Sequence, residues 1–365
     1  MRRTRGRTVD VTTLADLERR LDEGVRSLSG WRVRHLDLRS RPDLLLGRDV
    51  DGATFLGCDF AGDDATRAEA GGAIVLPSLA DRPLPVDPAR TSLYTAPELY
   101  DAPRWVDSLD GRAYAWSQEA RADVAPGEAA LARVLHDHAI DVALDAWRLG
   151  RRVVGVMGGH RALRGEETYA DAARLGHLLG DRLTVATGGG PGAMEAANLG
   201  ARLAGEPTEA LTEALSLLAA VPTYRPSVDA WVSSAMEVRE RWPDARENLA
   251  IPTWHYGHEP PGVFATAIAK YFRNATRESI LLEVCDAGIV FLPGAAGTVQ
   301  EVFQDACENY YADVSGVAPM VLVGVEHWTR TLPAWPLLEA LARDRAMERF
   351  VHLVDTVEEA AELLA

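Results

Sequence analysis

The run Pro293-Gly294-Ala295-Ala296-Gly297-Thr298-Val299-Gln300-Glu301 combines residue types that can do chemistry. Small residues let a ligand approach the backbone. Thr298 suits the N-cap of a following helix, with Val299, Val302, Phe303 and Ala306 as its apolar stripe. A helix start offers unpaired N–H groups and a positive dipole end, which together attract a phosphate. Glu301 then falls in the first turn, so a carboxylate stands beside an anion cradle.

A second glycine turn lies in Thr187-Gly188-Gly189-Gly190-Pro191-Gly192-Ala193-Met194-Glu195. Three glycines leave the backbone open to a phosphate or sugar, and Pro191 suits the first turn of a helix. No Gly-Lys-Ser/Thr follows, so this is not a P-loop. Gly188, Gly190 and Ala193 loosely fit a dinucleotide fingerprint, but the strand and terminal acid expected about 20 residues on are replaced by a helical pattern. A third small-residue turn, Gly158-Gly159-His160, follows the apolar run Val153–Met157.

These turns need strands and helices to hold them. Val153–Met157, Leu183–Thr187, Leu249–Trp254, Gly288–Leu292, Met320–Val325 and Phe350–Val354 read as buried strands. Helical patterns separate them, including a long one over Phe264–Val284 and others over Tyr169–Leu179, Ala193–Leu203, Ala334–Arg343 and Val357–Leu364. The alternation predicts an α/β fold, a doubly wound parallel sheet with helices on both faces. Ligands of such sheets bind at the carboxyl ends of strands, where the glycine turns lie. The domain boundary is expected at 125/126. Residues 126–365 form the nucleotide-binding domain, and 1–125 a small α/β region in which no repeat and no chemistry is read. Within that region Leu14–Leu28 has helical spacing, and Trp31–Leu38 and Ala53–Phe60 read as strands.

The paired motifs, GGGPGAMEA and PG-x-x-GT-x-x-E, resemble those of the LONELY GUY phosphoribohydrolases, long labelled "lysine decarboxylases". The GGH at 158–160 and the GPGAMEA run are most similar to the bacterial nucleotide 5'-monophosphate nucleosidases of that family. The resemblance covers about Val153 to Val354. It implies a Rossmann-like fold, a homodimer or higher homo-oligomer, and no metal or organic cofactor. It further implies hydrolysis of the N-glycosidic bond of a nucleoside 5'-monophosphate to free base and ribose 5-phosphate. Glu301 matches the motif's catalytic Glu, and Arg277 best matches the Arg on the preceding helix, with Arg273 one helical turn away. Phosphate and substrate contacts are implied for Gly158, Gly159, Gly188, Gly189, Gly190, Gly192, Ala193 and Met194, and for Gly294, Ala295, Ala296, Gly297 and Thr298. The sequence departs from the family at Ala295, where the motif has Gly, and at Gln300, where it has Glu. If position 295 needs a left-handed backbone, Ala costs roughly 1–2 kcal/mol there. The alternative is a non-catalytic protein that binds a nucleotide, or a phosphorylated cofactor such as molybdenum cofactor, on the same fold.

Composition narrows the classes further. A net charge of −16 argues against a nucleic-acid polymer as partner. No apolar run is long enough to span a bilayer, and the basic start MRRTRGRTVD lacks the apolar core of a secretory signal. Cys58, Cys285 and Cys307 are widely spaced, without a C-x-x-C pair, as in a reduced cytoplasm. His136 and His138 point to different faces of a helix over Gly127–Leu149 and do not form a metal pair. His255-Tyr256-Gly257-His258-Glu259 reads as a loop over the base pocket rather than a metal site, with Trp254 and Tyr256 placed to stack on a base. Lys270, the single lysine, lies in the expected long helix without a pattern for a Schiff base.

Overall fold

The computed structural model describes residues 9–77, 84–122, 127–256 and 259–364. The basic start, the 125/126 boundary, and Gly257 and His258 lie outside the described residues. The chain divides into two compact units, Met1–Leu84 and Pro85–Ala365. Each has its own apolar core.

The first unit contains β1 (Val9–Val11), α1 (Leu14–Asp22), β2 (Trp31–Arg34), β3 (Thr54–Leu56), α2 (Asp64–Ala70) and β4 (Ile74–Leu76). The strands form one parallel sheet in the order 1-2-3-4. Val9 pairs with Trp31, Arg32 with Thr54, and Thr54 with Ile74, so successive coils are 22, 22 and 20 residues long. Isolated parallel bridges, Ser27–Asp49 and Asp37–Asp59, repeat the 22-residue step. The unit is therefore a short solenoid, and the expectation of no repeat is corrected. Its core is a ladder: Val11, Val33 and Phe55 occupy equivalent positions and are buried. Gly30, Gly52 and Gly72, all at positive φ, turn successive coils, with Gly30 N–H bonded to Gly52 O and Gly52 N–H to Gly72 O. Stacked coils bury faces that one coil alone could not.

The second unit opens with α3 (Ala96–Leu99), α4 (Leu109–Ala122) and α5 (Gly127–Arg148). There follow β5 (Val153–Met157), α6 (Glu167–Leu179), β6 (Thr184–Thr187), α7 (Ala193–Arg202), α8 (Thr208–Leu218) and α9 (Val228–Arg241). Next come β7 (Asn248–Ala250), β8 (Ala267–Ile268), α10 (Asn274–Glu283), β9 (Ile289–Phe291) and α11 (Ala296–Tyr311). The chain closes with β10 (Met320–Val323), α12 (Trp335–Ala342), β11 (Val351–Val354) and α13 (Val357–Leu364). The strands form one parallel sheet in the order 11-10-9-5-6-7-8, flanked by helices in a Rossmann-like, doubly wound arrangement. From β5 the chain winds outward through β6, β7 and β8, then returns to place β9 on the other side of β5. The switch point thus lies between β5 and β9.

The Phe264–Val284 helix is corrected. Only Asn274–Glu283 is helical, and Ala267–Ile268 is a sheet strand. An apolar run of this length fits a buried strand as well as a helix, and periodicity alone does not separate them. Lys270 therefore sits in extended chain, fully buried, with its Nζ 2.5 Å from Asp110 Oδ1 of α4.

That pair also corrects the domain boundary, which falls at 84/85 instead of 125/126. Residues 85–122 are built into the second unit. Tyr94 bridges Ile268 backbone to backbone, and its hydroxyl lies 2.8 Å from His136 Nε2. Asp110 also accepts from the indoles of Trp105 and Trp254. His136 is a buried structural group. Its Nδ1 meets Asp137, whose carboxylate takes the N–H groups of Phe272 and Arg273.

Candidate functional site

A cavity of about 1120 Å³ opens at the carboxyl ends of β5, β6 and β9, over the switch point. Its wall is formed by three turns that touch one another. A Cβ on Gly158 would meet Ala193 Cβ at 2.9 Å and Leu292 Cβ at 3.2 Å, so the turns after β5 and β9 and the start of α7 leave no room for a side chain. Gly158, Gly159, Gly188, Gly190, Ala193, Met194, Gly294, Ala295, Gly297, Thr298, Arg277 and Glu301 all line this cavity.

Gly189, Gly192 and Ala296 do not line it. Gly189 and Gly192 serve the turn instead, at φ +69° and +78°. Gly189 N–H donates to Thr187 Oγ1 at 3.0 Å, and its carbonyl accepts from Gly262. Thr187 donates in turn to Asn198, whose amide reaches Asn248 and Leu249. The first amide of α7, Ala193 N–H, is taken by Gly159 O at 3.2 Å. The glycine-rich turn is thus held from within and keeps fewer free donors than its sequence promised. Glu195 of the same motif is fully buried in an ion pair with Arg164 and accepts from Tyr169 at 2.9 Å, which locks α7 to α6.

The turn after β9 keeps its donors. Helix α11 starts at Ala296, two residues before the expected Thr298 cap, with Ala295 at the N-cap position. Its first internal bond to this cap runs from Val299 N–H to Ala295 O. The N–H groups of Ala296, Gly297 and Thr298 precede it and have no partner within the helix. Ala295 has φ −123°, so the Gly-to-Ala departure carries no left-handed strain. Buried Thr298 packs against Gly294, where a Cβ would come within 2.6 Å of Thr298 Cβ.

Glu301 lies one turn into α11 on the cavity wall. Burial raises its pKa to about 7, the nearby positive charge of Arg277 opposes the rise, and Glu278 adds to it. Arg277 is only 8% exposed and lines the same cavity. Its Nη2 donates to Asn274 Oδ1 at 2.9 Å, while its Nε has no hydrogen-bond partner among the described residues. Gln300, the other departure, donates to Glu278 at 2.9 Å and so fixes the neighbour of both groups. Arg273 is the N-cap residue of α10 and is absent from the lining.

Several lining residues carried no motif signal. Arg161 follows the GGH turn, and its side chain has no ion-pair or hydrogen-bond partner among the described residues. His327 stands after β10 beside the Gly294 turn; burial lowers its pKa, and a hydrogen bond with the Gly294 backbone opposes this. Tyr256, unlike these, was read from the sequence as placed to stack on a base; it lines the cavity and takes a hydrogen bond from Asn274 at 3.2 Å. Trp254 does not line it. Trp254 is 1% exposed and stacked on Phe272, so its expected role beside a base is corrected. Among the described residues, no group of three or more His, Cys, Asp or Glu side chains is placed to hold a metal ion, and no helix is long and apolar enough to cross a membrane.

No protein-family model matches the chain, and no curated protein matches it. Among solved structures, the molybdenum cofactor binding protein from the phototrophic bacterium Rippkaea orientalis is similar over 59% of this chain and 96% of that chain. The identity is 17% and the TM-score 0.36, a likeness too slight to bear on what this chain binds. The chemistry of the site therefore rests on its own geometry: an anion cradle, a buried guanidinium and a carboxyl poised near neutrality in one cavity at the switch point of a parallel sheet.

Proposed function

We propose that the chain hydrolyses the N-glycosidic bond of a nucleoside 5'-monophosphate, releasing the base and ribose 5-phosphate. The observation that carries this reading is Glu301, a carboxyl with a pKa of about 7 on the wall of a cavity that also presents Arg277 and the free amides of α11. The motif resemblance supports it independently.

The amides of Gly297 and Thr298, with Arg161 at the mouth, hold the phosphate. This places the ribose against Glu301. As the C1'–N bond breaks, its electron pair leaves with the base and positive charge grows on the ribose. A carboxylate beside that charge stabilises the transition state. Glu301 takes a proton from the attacking water, whose oxygen forms the new bond to C1'. A group with pKa near the working pH suits such a transfer.

The test is incubation of the protein with a panel of nucleoside 5'-monophosphates, with products separated by chromatography and Glu301→Gln alongside. The expected result is release of base and ribose 5-phosphate by the wild type, with kcat lowered roughly 10²–10⁴-fold in the variant and binding retained. Binding without hydrolysis by the wild type would replace this reading with a non-catalytic nucleotide or cofactor carrier.

A further inference from the structure

Asn274, the first residue of α10, is not among the residues lining the cavity, yet three that do line it meet on its side chain. An Asn at a helix start commonly caps backbone N–H groups. Here the amide is spent on other side chains. Its Oδ1 accepts from Arg277 Nη2 at 2.9 Å, and its Nδ2 donates to Glu278 Oε1 at 2.6 Å and to the Tyr256 hydroxyl at 3.2 Å. The neighbours dictate which way the amide points. A guanidinium only donates and a carboxylate only accepts, so the reverse orientation would leave both unsatisfied. The other oxygen of Glu278, Oε2, accepts from Gln300 at 2.9 Å.

A neutral amide in this place keeps opposite charges apart. Arg277 Nη2 stands 3.5 Å from Glu278 Oε1, and among the described residues Arg277 makes no ion pair with Glu301. With Nη2 held by Asn274, Nη1 lies against the turn after β6, 3.3 Å from where a Cβ of Gly188 would stand, and has no hydrogen-bond partner among the described residues. An Arg277 free to turn would be drawn onto Glu278 or Glu301, both near it in a poorly hydrated wall. A guanidinium neutralised that way no longer offers its charge to a substrate. Building on the nucleotide reading of this cavity, we infer that Asn274 is a positioning residue of the reaction, whose neutral amide holds the Arg277 guanidinium off the two neighbouring carboxylates and leaves Nη1 for the substrate. It touches no reacting atom and acts through Arg277.

The test is a double-mutant cycle on the full-length protein, with Asn274→Ala and Arg277→Met made singly and together. Two quantities are followed. One is kcat/KM on the fastest nucleoside 5'-monophosphate of the panel; the other is calorimetric affinity for ribose 5-phosphate, the product common to all of them. Asn274→Ala should lower each about tenfold when Arg277 is present, the scale of a lost hydrogen bond to a charged group. The same change should cost less than about twofold in the Arg277→Met protein, where nothing is left to position. Asn274→Asp keeps the shape and the acceptor but sets one more carboxylate on Arg277, so it should lose at least as much as Asn274→Ala. Equal losses from Asn274→Ala with and without Arg277, or wild-type behaviour of Asn274→Asp, would overturn the inference while leaving nucleotide hydrolysis standing. If the wild type binds ribose 5-phosphate and hydrolyses nothing, the hydrolase reading falls, and the affinity cycle decides the positioning role by the same ratio. Neither hydrolysis nor binding by the wild type would remove the nucleotide site and this inference with it.

Discussion

Glu301 and its neighbours make the pH dependence of the site a measurable quantity. With Glu301 as the base, kcat/KM should climb about tenfold per pH unit below about 7 and level off above it. Arg277 holds this pKa down and Glu278 pushes it up. Replacing Arg277 by Met removes a positive neighbour, disfavours the carboxylate and should move the rise to higher pH. Glu278→Gln should move it lower. Opposite displacements in these two variants are the signature; coincident profiles would show that another group sets the pH dependence. Arg161 predicts a different pattern. Its side chain is exposed and without an ion-pair or hydrogen-bond partner among the described residues, so Arg161→Ala should leave the melting temperature unchanged. If it holds the phosphate equally in ground and transition states, KM should rise about tenfold with kcat nearly constant.

At the scale of elements, what the sequence made legible was whatever is written locally. The β9–α11 turn was readable because small residues, a helix start and an acid follow one another along the chain. The Gly188–Gly192 turn was readable as a turn but not as one whose donors are already used, since Gly159 reaches Ala193 N–H from another turn and Asn198 orients the Thr187 hydroxyl that takes Gly189 N–H. Glu195 shows the same limit: its motif position invites a site role, and only the fold brings Arg164 to bury it. Helix α11 carries a further group that periodicity did not explain. Asp305 is 5% exposed, one turn beyond Glu301, with Asn309 Nδ2 at 3.4 Å. Burial raises its pKa to about 8, from 3.8. The folded state therefore binds this proton more tightly than the unfolded chain. Its contribution to stability is fully present below the unfolded value and is lost as pH rises through about 8. Between pH 6 and 9 this should lower stability by roughly 2–3 kcal/mol. Asp305→Asn cannot ionise, so its thermal unfolding should depend less steeply on pH over that interval. Parallel curves for variant and wild type would show that Asp305 pairs with a cation in solution.

At the scale of the whole molecule, the two units differ in how much of them the sequence discloses. The parallel sheet of the second unit was legible because most of its strands are apolar runs separated by helices; β8, which follows β7 with no helix between, was the one read as helix. The solenoid was not, because its 22-residue step is kept by a few inward residues, Val11, Val33 and Phe55, and by turn glycines 22 and 20 residues apart. The segment from Pro85 to Ala122 was assigned to the wrong unit for a related reason. Its partners, Ile268, Lys270 and Trp254, lie far along the chain. This gives two truncations opposite fates. Every cavity-lining residue falls between Gly158 and Glu358, and the second unit has its own core. A chain of Pro85–Ala365 should therefore melt cooperatively and keep kcat/KM within about threefold of the full-length value, since no site residue is lost. A chain starting at 126 lacks Tyr94 and Asp110. It strands the Lys270 ammonium without its carboxylate in a fully buried position, and breaking a buried pair from one side costs about 3–5 kcal/mol. That is a large part of a typical domain's stability, before the lost packing of α3 and α4 is counted. The shorter chain should be insoluble or melt far lower, and Lys270→Met in it should recover part of the loss. Equal melting of the two truncations would place residues 85–125 outside the folded core of the second unit.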